Sequence, residues 1–119
     1  MAEQTVFSVT IPVGAVGTAN RSLMHVPSGY GGITLLNAWL IGGAAGTIVS
    51  QLVNMGTALG TAVSSVVGTL TDGTLTANVR KPMSITTAYQ AENTWLGLNG
   101  ITGTTDAAAQ VVLEYKFGK

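Results

Sequence analysis

The side chains that could carry out acid–base or nucleophilic chemistry are few and scattered in this 119-residue chain. His25 is the single histidine, and the carboxylates number five: Glu3, Asp72, Glu92, Asp106 and Glu114. Ser28 lies close to His25, but no G-x-S-x-G stretch places a serine on the strained turn that a hydrolytic triad uses. A glycosidase needs two carboxyl groups held about 5–10 Å apart in a groove. Five acids spread in this way instead favour solubility and turn formation, so the sequence predicts a protein that is not an enzyme.

Metal and phosphate sites are equally hard to build from these residues. There is no cysteine, which excludes thiolate metal sites, cysteine nucleophiles and disulfides. His25 has no evident partner ligands for zinc, and Asp106 lacks the neighbouring acids that a calcium shell of about six to eight oxygens needs. The glycine clusters GYGG and GGAAG lack the Lys-Ser/Thr pair of a phosphate-binding loop. No cofactor and no metal are therefore expected.

Basic and aromatic side chains define the remaining binding chemistry. Arg80-Lys81 is the only basic pair, and the aromatic residues do not alternate with basic ones, so nucleic-acid binding is not expected. Trp95, Tyr30 and Tyr89 could serve as platforms on which sugar rings stack, as in carbohydrate-binding modules. A strand tryptophan beside alternating leucines is more often packed in a core or an interface. Packing is the favoured interpretation of Trp95, and carbohydrate binding is the alternative.

The chain that must position these residues is poor in charge. Lys, Arg, Asp and Glu make up 8% of it, the net charge is zero and the mean hydropathy is +0.43. An ordinary soluble domain has about 25% charged residues. None of the four types occurs between Arg21 and Asp72. Because near-neutral, charge-poor surfaces tend to associate, we expect this uncharged span to be covered by other protein.

The apolar stretch Trp39–Val53 within that span does not predict a membrane helix. A membrane-spanning helix needs about 18–20 predominantly apolar residues in sequence. Three glycines and the polar residues Thr47, Ser50 and Gln51 interrupt the stretch. The opening sequence MAEQTVFSVTIP has no basic region followed by an apolar one, so no signal peptide is expected.

Hydrophobic periodicity predicts strands along the whole chain. Short alternating segments, separated by turn residues, recur about every 8–12 residues. They indicate one all-β domain over residues 1–119, a jelly-roll-like β-sandwich with about eight or nine short antiparallel strands. In the last strand, Val111, Leu113, Tyr115 and Phe117 are expected to face the core. Residues 56–68 are also compatible with a short helix.

Two details of strand arrangement follow from local sequence. Asp72-Gly73 is flanked on both sides by Thr-Leu-Thr, which predicts a type I′ turn that pairs the two flanks as a hairpin. Ile33–Ile41 is apolar on both faces, which predicts a central strand that is covered on both sides.

The two ends of the chain resemble small all-β virion proteins of tailed bacteriophages. The resemblance is carried by the opening TVFSVTIPVGAVGTANRSLMHVPSGYGGITLLNAWL and the close ENTWLGLNGITGTTDAAAQVVLEYKFGK. It rests on strand order, on loops rich in Gly, Thr and Ala, and on the terminal VVLEYKFG strand. The proteins it points to are capsid decoration, or cement, proteins, which are often jelly rolls that sit on the phage head as trimers; tail-tube and head-fibre proteins, which are also all-β phage parts, are the alternatives within this resemblance.

This resemblance implies a structural role. It implies a non-enzymatic protein on the capsid surface of the virion, made in the host cytoplasm, that binds the major capsid protein and stabilises the head shell. With the uncharged span between Arg21 and Asp72, it predicts a homotrimer whose interface is drawn mainly from that span. The alternative is a carbohydrate-binding or adhesin-like sandwich that uses Trp95, Tyr30 and Tyr89 as exposed aromatics.

Overall fold

The computed structural model describes residues 5–15, 20–57 and 65–119, and in these ranges the regular structure is entirely strand. The strands are β1 Phe7–Pro12, β2 Asn20–His25, β3 Ile33–Ile41, β4 Gly46–Asn54, β5 Ser65–Leu70, β6 Thr74–Leu75, β7 Arg80–Ile85, β8 Tyr89–Gln90, β9 Trp95–Gly103 and β10 Gln110–Phe117. The predicted all-β class is confirmed, with eight longer strands and the two-residue strands β6 and β8. Among the described residues no helix could cross a membrane.

The strands pair in one continuous antiparallel series, and β7 connects its two halves. Neighbours follow the order β1-β10-β3-β7-β5-β4-β9-β2, with β6 beside β4 and β8 beside β3. Arg80–Pro82 pairs with β3 and Met83–Ile85 with β5, so β7 passes from one half of the sheet to the other. We call β1-β10-β3-β7 the first half-sheet and β5-β4-β9-β2 the second half-sheet. Counted over the eight longer strands, this order is that of a jelly roll.

A single core lies between the two half-sheets. Leu40 and Leu113 of the first half-sheet belong to the same cluster of buried side chains as Leu52 and Leu98 of the second. Side chains along each strand alternate between this core and the outer surface. Burial of one leucine contributes about 1.5–3 kcal/mol, so the shared core is what holds the half-sheets together.

The last strand, β10, is central in the first half-sheet, because it pairs with β1 on one side and with β3 on the other. Val111 and Leu113 are fully buried, and Tyr115 and Phe117 are half-buried against the same core. The inward face predicted for this strand is therefore confirmed.

The stretch around Asp72-Gly73 does not form the predicted hairpin. The strand that follows it, β6, pairs with β4. Asp72 Oδ1 accepts a hydrogen bond from the Thr74 N–H at 3.0 Å, an Asx turn that reverses the chain locally. A Cβ on Gly73 would overlap the Ile48 carbonyl oxygen. Glycine is required here because β4 approaches closely, not because a type I′ turn joins two paired flanks.

Two other local expectations have mixed outcomes. β3 is central, between β10 and the strands β7 and β8, as predicted. The cover predicted for its outer face is not supplied by the described part of the chain, since Leu36 is 39% exposed. Of the residues compatible with a short helix, 65–68 belong to β5, and 58–64 lie outside the described residues.

Candidate interaction surfaces

The four described carboxylates fasten the chain to itself. Glu92 accepts hydrogen bonds from two backbone N–H groups. Asp72 accepts one from the Thr74 N–H, and Asp106 accepts one from the Gly43 N–H at 2.9 Å. Glu114 accepts one from Asn37 Nδ2 at 2.9 Å. No group of three His, Cys, Asp or Glu side chains that could hold a metal ion occurs among the described residues. Asp72, Glu92 and Asp106 therefore hold turns and loops, whereas Glu114 links β10 to β3.

Of the ionisable groups in the described ranges, Asp72 is the one whose pKa is clearly shifted. The backbone N–H of Thr74, and then the Lys81 ammonium at 3.1 Å, stabilise its ionised form and hold its pKa below the ordinary 3.8. The carboxylate is more than half exposed and Lys81 is largely covered. Because solvent screens such a pair, this contact organises the turn more than it stabilises the fold.

Trp95 forms a ring pair with His25 at the edge of the second half-sheet. The ring centroids are 4.7 Å apart at 50°, and the two residues are paired across β9 and β2. Trp95 is half-buried and His25 is exposed. This contact fits the interpretation of Trp95 as a packing residue, because His25 occupies part of the indole surface that a sugar would need.

Four aromatic rings meet at one end of the first half-sheet, where β1 begins and β10 ends. We call Phe7, Tyr30, Tyr115 and Phe117 the aromatic cluster. Tyr30 stacks on Phe117 with centroids 4.6 Å apart, and Phe7 lies 5.1 Å from Phe117 and 5.7 Å from Tyr115. These spacings are those of favourable aromatic pairs. Tyr30 is nevertheless 60% exposed and Phe7 39%, so the cluster is a surface feature.

The loop that presents Tyr30 is held on both sides by one carboxylate. Glu92 Oε2 accepts the Gly29 N–H at 3.0 Å, and Oε1 accepts the Gly31 N–H at 2.7 Å. Both glycines have positive φ, which lets their N–H groups converge on the same side chain. The Tyr89 hydroxyl donates to the Gly31 carbonyl at 3.0 Å. The backbone on both sides of Tyr30 is therefore fastened to the Glu92 and Tyr89 side chains.

The structure brings two of the three predicted aromatic site residues together. Tyr89 contacts the Tyr30 loop and lies under the Lys119 ammonium, which is 4.8 Å from its ring centroid. Trp95 contacts His25 instead. The sequence pattern did not indicate that Phe7 and Phe117 belong to a surface cluster. The alternating pattern of each strand predicts only the face on which each phenylalanine lies. The contact between the two rings depends on the pairing of β1 with β10.

The outer face of the second half-sheet carries no charge on its three inner strands. β5, β4 and β9 contain no Lys, Arg, Asp or Glu. Val49, Val66 and Ile101 project from them at 45, 38 and 43% exposure. Between them Gln51 pairs with Thr69 on one side and Asn99 on the other. We call the outward residues Val49, Gln51, Val66, Thr69, Asn99 and Ile101 the uncharged face.

The outer face of the first half-sheet differs in charge. Glu114 and Lys116 point outward from β10, and the Arg80 guanidinium lies 4.7 Å from the centre of the Trp39 ring. The uncharged span between Arg21 and Asp72 is thus divided, because it supplies β4 and β5 to one face and β3 to the other. The uncharged face is completed by β9, which lies outside that span.

Comparison with protein-family models, with curated proteins and with solved structures finds no significant match for this chain. The jelly-roll order is used by viral capsid and lectin domains among others, and a fold by itself does not determine a function. The function is therefore inferred from the two surfaces.

Proposed function

We propose that this protein is a non-enzymatic structural component of a virion, a capsid decoration protein that binds and stabilises the head shell through protein–protein contacts. The observation that carries the proposal is the uncharged face. Three neighbouring strands expose apolar side chains and neutral polar ones with no ionised group between them. A water-facing sheet of a soluble domain usually carries charges on its outer side.

The physical reason lies in desolvation. Covering an ionised side chain without a partner removes strongly favourable hydration, whereas covering Val, Thr or Asn costs much less. The fully buried centres of protein interfaces are accordingly depleted of charged residues. Val49, Val66 and Ile101 would gain about 25 cal/mol for each square ångström of apolar surface removed from water. The uncharged face is thus suited to lasting contact with protein.

The mechanism follows from linkage. A protein that binds neighbouring subunits of an assembled shell, and not the free subunits, stabilises the assembled state by about 2.7 kcal/mol at a concentration of 100 Kd. The contact at the joint between subunits adds buried area where the shell would otherwise open. A homotrimer, as the resemblance to cement proteins implies, would multiply this effect because three copies bind at once.

The test uses the major capsid protein of the virion to which the proposal assigns this chain. Shells assembled from that protein are mixed with the wild type or with Val49→Lys, and the pellet is analysed after sedimentation. The matched control is Leu36→Lys, which places the same charge at a similarly exposed site on the other outer face. We expect the wild type and Leu36→Lys to pellet with the shells, and Val49→Lys to bind at least about tenfold more weakly. A wild type that stays in the supernatant, or a Val49→Lys that binds normally, would contradict the proposal.

A second candidate function is carbohydrate binding, and the ordered Tyr30 loop favours it. A fixed, exposed tyrosine next to further rings is the kind of platform on which a sugar stacks. It ranks second because the carboxylate nearest to Tyr30, that of Glu92, already accepts two N–H groups of the protein. Titration calorimetry with a panel of neutral oligosaccharides tests it. Binding that is lost in Tyr30→Ala would support the lectin-like function, and the absence of binding across the panel would exclude it.

A further inference from the structure

The path of described strands ends in two edges. β1 pairs only with β10, and β2 pairs only with β9. An edge strand presents a row of backbone N–H and C=O groups without strand partners. Natural proteins protect such edges with charges, bulges or proline, because an unprotected edge accepts another strand. The two edges of this molecule differ in that protection.

β2 is an interrupted edge. Its register with β9 shifts between Ser22 and Met24, and it carries Arg21 with an exposed His25 at its end. β1 keeps an unbroken register with β10 over all six residues. From Thr5 to Ala15 the sequence has no charged side chain. Pro12, at the end of β1, is the one protective residue on this edge.

The inward side chains of β1 are also left partly uncovered. Val9 and Ile11 are only half-buried against the core, and Phe7 is 39% exposed. Their neighbours on the same face, Leu113 and Val111 of β10, are fully buried. A further strand beside β1 would cover Val9 and Ile11 in the way that β1 covers β10.

We propose that β1 pairs antiparallel with β1 of a second copy of this chain, with the twofold axis beside Val9. In this register Val9 faces Val9 of the second copy, and Phe7 faces Ile11. The apolar pattern is therefore self-complementary, as a closed twofold contact requires. Apolar and β-branched pairs of this kind stabilise antiparallel strands, and the exposed aromatic cluster beside Phe7 adds apolar area to the contact.

The size of the contact predicts a reversible pair. A six-residue strand is about 20 Å long, so the edge buries less than the roughly 800 Å² per partner of a standard interface. Main-chain hydrogen bonds along the strand supply the affinity, as in other cases of strand addition. This contact is separate from the uncharged face. Shell binding and β1 pairing can therefore each fail while the other holds.

The first experiment is a cross-link. The chain has no cysteine, so a single introduced cysteine reacts only with its counterpart in another copy. Residues directly opposite in antiparallel strands have Cβ atoms about 4.5–5.5 Å apart, close enough for a disulfide to form after a small shift. Val9→Cys is expected to give a covalent dimer on mild oxidation. Ser22→Cys on the β2 edge, at the same concentration, is the control and is expected to stay monomeric on a denaturing gel.

The second experiment measures mass by light scattering over a concentration series that reaches about 100 μM. The wild type is expected to approach an even multiple of the 12.1 kDa chain, and Val9→Lys to halve that mass because two ammonium groups would meet at the axis. Leu36→Lys, a lysine away from the edge, is expected to keep the wild-type mass. A circular dichroism spectrum checks that Val9→Lys is folded, and Val9→Cys provides the test if it is not.

Three results would overturn the proposal. A wild type that remains at 12.1 kDa throughout the series would show that the edge does not pair. A mass unchanged by Val9→Lys would place self-association on another surface. Cross-linking of Ser22→Cys as readily as Val9→Cys would show that the disulfides report chance collisions.

Discussion

Leu113→Ala tests the register on which the core and both outer faces depend. Leu113 is fully buried in the middle of β10. It lies opposite Val9 of β1 and Ala38 of β3. The same substitution at Leu36 is the matched control, because that leucine lies on the neighbouring strand with 39% of its surface exposed. A shift of β10 by one residue would place Leu113 on the outer face, and a shift of β3 by one residue would place Leu36 in the core.

The magnitude follows from burial and from the rigidity of the site. Leucine exceeds alanine by three carbon atoms, and at about 0.8 kcal/mol each their transfer to water costs about 2.4 kcal/mol when the side chain is fully buried. β10 is paired on both sides, so the strands cannot close the cavity, and the cavity raises the cost to about 3–5 kcal/mol. The Leu36 side chain is only partly buried, so its replacement by alanine leaves no closed cavity. Its replacement is expected to cost about 1 kcal/mol.

Urea unfolding followed by tryptophan fluorescence measures both changes. With an m value of about 1.5 kcal/mol per molar urea, a loss of about 3 kcal/mol lowers the midpoint by about 2 M. The midpoint for Leu36→Ala is expected to fall by less than about 1 M. All variants are compared at one protein concentration, because self-association would add to the apparent stability. Equal shifts at the two positions would refute the register and the assignment of the two faces.

The remaining predictions concern one loop, one close approach and one ionisable group. Glu92→Ala removes both acceptors of the Tyr30 loop and is expected to speed amide hydrogen exchange at Gly29 and Gly31 about tenfold or more. Glu92→Gln keeps one acceptor oxygen, so its exchange rates should lie between those of Glu92→Ala and the wild type. Unchanged exchange in Glu92→Ala would mean that other contacts hold the loop. Gly73→Ala is expected to cost about 1–3 kcal/mol in a thermal or urea melt because the new Cβ meets the Ile48 carbonyl. Gly46→Ala, whose new Cβ would lie at an ordinary contact distance of 3.8 Å from the Thr104 carbonyl oxygen, should cost clearly less, and equal losses would argue against the close approach. The pKa of Asp72 is lower when folded, so its stabilising contribution is complete above pH 3.8 and is lost as the pH falls through the folded pKa; a carboxyl titration by NMR with a midpoint at or above 3.8 would contradict this.

Local pattern predicts the part of this structure that depends on alternation. Val111 and Leu113 lie two residues apart in an apolar strand, which is enough to place both on one face. The scarcity of helix formers and the regular turn residues likewise predict an all-β domain with short strands. Each of these features is decided within a few residues of the chain, so one sequence suffices.

The misses have a common cause, because each depends on which strands become neighbours. Asp72-Gly73 is a strong hairpin signal, yet β6 pairs with β4 and not with the strand that precedes the turn. The aromatic cluster needs β1 beside β10, although Phe7 and Phe117 stand at opposite ends of the sequence. The uncharged face joins β9 to β4 across more than forty residues. No local signal in the sequence reports these distant pairings.

The position of β10 also has a consequence for how the protein is made. Synthesis proceeds from β1 towards β10, so β1 and β3 are made before β10, the strand that pairs with both of them. The nascent chain cannot close its first half-sheet early, and contacts between distant segments form slowly. Until the chain's own β10 is made, the β10 strand of a nearby copy can pair with β1 and β3 in its place. Domain exchange during crowded synthesis is therefore the misassembly to which this strand order exposes the protein.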